Sequence, residues 1–116
     1  EDLEEARSSD LRAARRDVLP NDLQVVLCHN PGGADALAGP GVLAVLSGHS
    51  HGHQLDLPVV RRLAPEHPGD RRQLGPTVAI TSRGLGALGV PLRLRSPAEL
   101  VVVDLVAAPG EDADAR

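Results

Sequence analysis

Hydrophobic residues along the chain fall into short blocks separated by polar, glycine-rich and proline-rich stretches. Several blocks have the nearly unbroken apolar and β-branched character of strands covered on both faces. The expected strands are residues 23–28, 42–47, 77–82 and 99–107, with a further short one at 92–95. These blocks predict a sheet of about four or five short strands.

A helix is predicted ahead of the first strand. Leu11, Ala14 and Val18 recur at helical spacing within residues 1–19, and a Pro-Asn pair directly afterwards ends the segment. One helical turn is expected at 34–38, in the loop after the first strand. The fold class is therefore α/β, more narrowly α+β, with one N-terminal helix.

The region between the second and third expected strands is different in composition. Residues 56–76 are polar and contain four prolines, which predicts an exposed excursion. At most a brief helical or strand piece is expected within it, near 59–63.

Composition narrows the classes of function. The 116 residues include no Phe, Trp, Tyr or Met, so Val, Leu, Ala and one Ile must form the core. The net charge of −4 argues against binding of duplex nucleic acid, which needs a basic face. No apolar run approaches the roughly 20 residues of a transmembrane helix. The single Cys28 excludes an internal disulfide and is expected to point into the core.

Histidines follow two of the expected strands directly. His29 comes after residues 23–28, while His49 and His51 lie in a Gly-His-Ser-His-Gly loop after 42–47. Three imidazoles converge there if the two strands are neighbours, and neutral imidazole is a common ligand of divalent metals. The alternative is that these histidines are structural, hydrogen-bonding side chains. His53 is out of register with the pair and is expected to face solvent or to lie behind the ligands.

The stretches LCHNP and LSGHSHGHQ resemble the last two metal-binding motifs of the calcineurin-like metallophosphoesterases. The likeness is to a bacterial branch related to the UDP-2,3-diacylglucosamine hydrolases. That branch has Thr where this chain has Ser50, and Gly where it has His53. Downstream, SRGLGALGVPLRLRSPAELVVVDL resembles further stretches of the branch, although Ala98 separates its Pro-Glu pair.

The resemblance implies a role for individual residues. His29 and His49 would bind one divalent metal ion and His51 a second, with Mn, Fe and Zn all suitable. Asn30 would shape its loop. Arg83 and Arg93 match recurrent family positions, for which the resemblance implies a substrate or structural role.

The resemblance also implies what is missing. The family motifs Asp-x-His, Gly-Asp-x-x-Asp and Gly-Asn-His-Asp/Glu do not occur in the chain, so no catalytic residue can be assigned. Residues 1–107 are expected to be the C-terminal half of a four-layer αββα sandwich, followed by an acidic disordered tail at 108–116. Because the chain opens on Glu1 rather than Met, we expect it to be processed or truncated.

The implied activity is metal-dependent hydrolysis of a phosphomonoester, phosphodiester or pyrophosphate by hydroxide attack at phosphorus. The substrate would be a phosphorylated small molecule or a lipid-linked one, and the chain alone is expected to be inactive without the missing N-terminal half. Two alternatives stay open: a non-catalytic histidine metal-binding module, and one half of a split domain that a partner completes. Location is open between the cytoplasm and an anchored or exported parent protein.

Overall fold

The computed structural model describes residues 11–63 and 70–107. They form a mixed α and β structure in which short helices accompany one four-stranded sheet. The first ten residues of the predicted N-terminal helix and the predicted tail at 108–116 lie outside the described residues. No described helix has the length and apolar character needed to cross a membrane.

The sheet contains all the strands of the described residues. Its strands are β1 (Gln24–Leu27), β2 (Val42–Ser47), β3 (Arg71–Leu74) and β4 (Thr77–Thr81). They lie in the order β1-β2-β4-β3, with β1, β2 and β4 parallel and β3 antiparallel to β4. The helices are α1 (Leu11–Ala14), α2 (Ala34–Leu37) and α3 (Pro58–Arg61), and 3-10 turns cover Pro31–Gly33 and His51–His53.

Parallel pairing brings the loops after β1 and β2 to one edge of the sheet. Leu27 lies opposite Leu46 in the register of the two strands. The ladder continues beyond the strands, because the Cys28 amide donates to the Leu46 carbonyl and the Gly48 amide to the His29 carbonyl, at 2.9 and 3.1 Å. The two histidine-bearing loops therefore start side by side, at the strand ends where ligands of parallel sheets commonly bind.

The core lies between one face of the sheet and α2. Val45 in the middle of β2 is fully buried. It packs in a cluster whose members are all small or aliphatic: Ala34, Leu37, Val42, Val45 and Ala79. Cys28 packs against this cluster, so the prediction that it points into the core is confirmed. With no aromatic ring available, the described core buries little area per residue, and a thin core of this kind gives modest stability.

Three of the expected strands are confirmed within one or two residues, as β1, β2 and β4. The prediction for 56–76 was incomplete, because β3 lies in that region. Its charged residues, Arg71 and Arg72, suit an edge strand, and Gly75, with a φ of 59°, turns the chain into β4. The short helix α3 accounts for the brief element expected near 59–63.

The prediction of strands at 99–107 and 92–95 was wrong. Residues 99–107 contain no strand, and 92–95 contributes only a single bridge between Leu94 and Leu55. No described strand pairs with 99–107 through backbone hydrogen bonds, and apolar character alone does not make a strand. The N-terminal prediction is confirmed only in part, since the described helix there ends at Ala14.

Candidate metal centre

The two loops at the shared edge bring His29 and His49 into contact. Nε2 of His29 and Nδ1 of His49 lie 3.1 Å apart, and one of the two rings donates to the other according to its tautomer. The ring centroids are 4.9 Å apart and the planes meet at 68°, an edge-to-face arrangement. The expectation that these two imidazoles converge agrees with this geometry.

The nitrogen spacing fits two kinds of interaction. A hydrogen bond between neutral imidazoles has this length. Two imidazole nitrogens that share one zinc ion at about 2.0–2.1 Å also lie about 2.9–3.4 Å apart, for bond angles between a right angle and tetrahedral. The distance between the two nitrogens is thus compatible with a hydrogen bond and with two ligands of one ion.

His51 has a buried nitrogen with no partner. Its Nδ1 is inaccessible to solvent and makes no hydrogen bond within the described part of the chain. A buried polar atom left unpaired costs about 1–3 kcal/mol, so such atoms commonly mark a site completed by something else. A bound ion or a further part of the fold would supply that partner.

All four described histidines line one open pocket of about 460 Å³. The full lining is His29, His49, Ser50, His51, His53, Gln54, Leu55, Val60 and Leu88. No Asp or Glu of the described residues contributes to it. Within residues 11–63 and 70–107, moreover, no three His, Cys, Asp or Glu side chains form a group that could hold a metal ion. The expected set of three ligands is thus brought into one pocket but is not assembled as a complete site.

The histidine loop has an unusual backbone. His49, His51 and His53 adopt φ values of 64°, 50° and 60°, and Gln54 follows at 33°. Left-handed conformation costs an L-residue about 1–2 kcal/mol, so a run of it persists only where the surroundings hold it. Strain of this kind is concentrated at functional sites. The strained backbone is therefore a second indication that the conformation of this loop serves to direct its side chains.

Glycine is required at one end of the Gly-His-Ser-His-Gly loop only. Gly52 has a φ of 58°, and a Cβ there would lie 2.5 Å from both Arg83 Cγ and Ser96 Oγ. Gly48 lies in open space, and its φ is not positive. Gly52 therefore shapes the turn, whereas the geometry does not require glycine at position 48.

Gln54 ties the histidine loop to the segment that forms the far side of the pocket. Its Nε2 donates to the carbonyls of Leu88 and Val90, at 3.1 and 2.7 Å, and its Oε1 accepts from the Leu88 amide at 2.6 Å. Sequence reasoning did not single out Gln54 or Leu88. The available signal was that Gln54 ends the histidine motif itself.

Arg83 and Asn30 have structural partners. Arg83 is paired with Glu99 through Nε at 2.9 Å and through Nη2, with Asp70 at 3.6 Å, and hydrogen bonding to Glu99 raises its pKa. The Asn30 side chain accepts from the Gly32 amide at 2.9 Å and so caps the 3-10 turn, as expected for a residue that shapes its loop. Neither residue lines the histidine pocket.

Searches against protein-family models, curated proteins and solved structures found no match to this chain. The function is therefore argued from the residues and geometry of the site itself.

Proposed function

We propose that this chain carries the histidine part of a two-metal phosphoester hydrolase centre. The observation that carries the proposal is the pair of imidazole nitrogens, His29 Nε2 and His49 Nδ1, 3.1 Å apart at the ends of adjacent parallel strands. His51, whose buried Nδ1 has no hydrogen-bond partner among the described residues, lines the same pocket and supports the proposal. The resemblance of the two loops to metallophosphoesterase motifs supplies the reaction class.

Three histidines of the pocket have a role in this proposal. His29 and His49 hold one divalent ion and His51 holds a second, with manganese, iron and zinc all compatible with imidazole ligands. When bound, such ions polarise a phosphoryl group and lower the pKa of water. The leucines and valine of the pocket wall would exclude solvent from part of a phosphorylated substrate, small or lipid-linked.

The positive charge of two metal ions indicates that the proposed centre also needs anionic ligands. Three neutral imidazoles do nothing to offset the repulsion between two dications about 3.5–4 Å apart, and bridging carboxylates normally do so. Because the described pocket wall has no carboxylate, these groups come from another part of the fold in this proposal. The whole fold would be the four-layer αββα sandwich, to which these residues contribute one sheet. The described residues alone would be inactive.

A second candidate is a metal-binding module without catalysis. It is favoured by the same absence of acidic side chains from the described pocket wall. Such a module would hold a single ion, tightly, through imidazoles alone.

Metal titration of the chain tests the proposal. We expect zinc or manganese binding, measured by calorimetry, to weaken by about 100-fold or more in His49→Ala, since loss of a ligand should cost at least as much as loss of a group behind it. His53→Ala removes another imidazole of the same loop that the proposal does not assign as a ligand, and it should lose less affinity than His49→Ala does. Unchanged affinity in His49→Ala would exclude the centre.

The two candidates differ in what tight binding requires. Submicromolar binding of one ion by the chain alone supports the module. Binding that becomes tight only when a segment with carboxylate motifs is added supports the hydrolase. In that complex, hydrolysis of a bis-aryl phosphodiester should require His49.

A further inference from the structure

The carbonyl oxygen of His51 is the most heavily bonded backbone group of the histidine loop. It accepts from the Gln54 amide at 3.0 Å, from Ser96 Oγ at 2.9 Å and from Arg93 Nη1 at 3.3 Å. A carbonyl oxygen has two lone pairs, so three donors saturate it. Two of the three donors come from more than forty residues further along the chain, at sequence separations of 45 and 42.

Arg93 forms hydrogen bonds with backbone carbonyls and does not line the histidine pocket. Its guanidinium donates only to carbonyl oxygens among its described partners: those of His51, Arg83, Gly84, Gly86 and Ser96. The planar fork of five N–H donors suits such a cluster, whereas the single ammonium of a lysine does not. Arg93 does not line the histidine pocket, so direct contact with a substrate there is not its role.

Ser96 lies tightly against the turn. Its side chain is 2% exposed, and its Oγ would be 2.5 Å from a Cβ placed on Gly52. The hydroxyl therefore fills the space that the missing side chain of Gly52 leaves open. Its hydrogen bond to the His51 carbonyl is partly buried, which limits competition from water.

These contacts fix the peptide plane between His51 and Gly52. Both residues have positive φ, 50° and 58°, which an unrestrained histidine avoids. If the carbonyl lost its donors, this plane could rotate, which changes ψ of His51 and φ of Gly52. The backbone on the C-terminal side of His51 would then no longer hold its Cα–Cβ bond, and hence the imidazole, in one direction.

We propose that Arg93 and Ser96 are positioning residues that hold the His51 imidazole in the histidine pocket by donating hydrogen bonds to the His51 carbonyl, an arrangement called the clamp below. The inference rests on the proposed metal site for its effect on affinity. The clamp itself concerns the direction of one side chain and can be measured without metal. The resemblance left the role of Arg93 open between substrate and structure, and gave Ser96 no role.

Three variants of the full chain test the clamp: Ser96→Ala, Arg93→Lys and the control Arg95→Lys. Arg95 is a neighbouring arginine that, unlike Arg93 and Ser96, donates no hydrogen bond to the His51 carbonyl within the described residues. In the metal-free protein, we expect Ser96→Ala and Arg93→Lys to shift the ring nitrogen resonances of His51 in NMR spectra, with those of His29 unmoved. Zinc affinity should fall about 10-fold in each, in the range known for groups behind a ligand. Arg95→Lys should change neither.

The outcomes separate the two proposals. If the parent chain binds no zinc either alone or with an added segment that carries carboxylate motifs, the proposed function fails, while the resonances of His51 still decide whether the clamp exists. If the parent binds zinc and Ser96→Ala leaves both affinity and the His51 resonances unchanged, the clamp is wrong and the metal site stands. Ser96→Ala removes one hydroxyl only, so it keeps the test valid if Arg93→Lys fails to fold. Equal shifts of His29 and His51 would indicate general loosening and would also overturn the clamp.

Discussion

Strand β2 and residues 99–106 are both strongly apolar segments of the described chain, but they differ in strand pairing and in burial. β2 is paired on both sides, and Val45 at its centre is fully buried. In the other segment, Leu100 and Val102 are each 77% exposed, and no strand forms. The difference shows that hydrophobicity selects a strand only where a neighbour completes its backbone hydrogen bonds.

Residues 99–106 are nevertheless packed against the sheet on one side. Val101 and Val103 are 39% and 38% exposed, and they lie with Leu46 and Ile80 around a shallow hollow on the sheet. Val102, which lies between them, is 77% exposed. Side chains that are apolar on both faces are typical of strands covered on both sides. The segment is thus half packed, in contrast to β2 and the histidine loop that follows it.

Among the alanine substitutions, the largest loss of stability is expected at Gly52, where neighbouring side chains leave no room for a Cβ. Gly52→Ala should lower the free energy of unfolding by about 2–4 kcal/mol, because a Cβ adds left-handed strain and contacts Arg83 and Ser96 at 2.5 Å. Because the chain has no Trp or Tyr, urea unfolding is best followed by far-ultraviolet circular dichroism. Gly48→Ala is the matched control, with nothing within 4 Å of its Cβ, and should change stability by about 0.5 kcal/mol or less. Equal effects at both glycines would contradict the geometry of the turn.

A second, smaller effect contrasts the two apolar segments directly. Val45→Ala should lower the free energy of unfolding by about 2 kcal/mol, since it leaves a cavity in a closed core. Val102→Ala removes the same two methyl groups from a largely exposed position and should cost about 0.5 kcal/mol or less. Both are measured by the same urea titration. Similar losses at the two sites would mean that 99–106 is packed in solution as firmly as β2.

The features that could be predicted from the sequence are those that depend on residues close together along the chain. β2 was predicted at its observed bounds because each of its residues is apolar or small and it ends at a glycine. The approach of His29 to His49 was also predictable, because parallel strands end at one edge. The clamp on His51 was not, because Ser96 lies 45 residues away and no local pattern marks such a contact. β3 was missed because its arginines indicate a loop until β4 is present to pair with them.

The smallest change in stability is expected from placing a charge on the outward side of the half-packed segment. Val102→Lys should alter the free energy of unfolding by about 0.5 kcal/mol or less, because the side chain already lies largely in solvent. Its effect should instead be on association, because an exposed apolar stretch outside any strand promotes self-pairing and a lysine there opposes it. Sedimentation velocity over a range of concentrations should show less self-association than in the parent. Val45→Lys, in contrast, should unfold the chain, since a buried unpaired charge has no partner in the core. If Val102→Lys unfolded it too, the segment would be part of the core in solution, and its contrast with β2 would disappear.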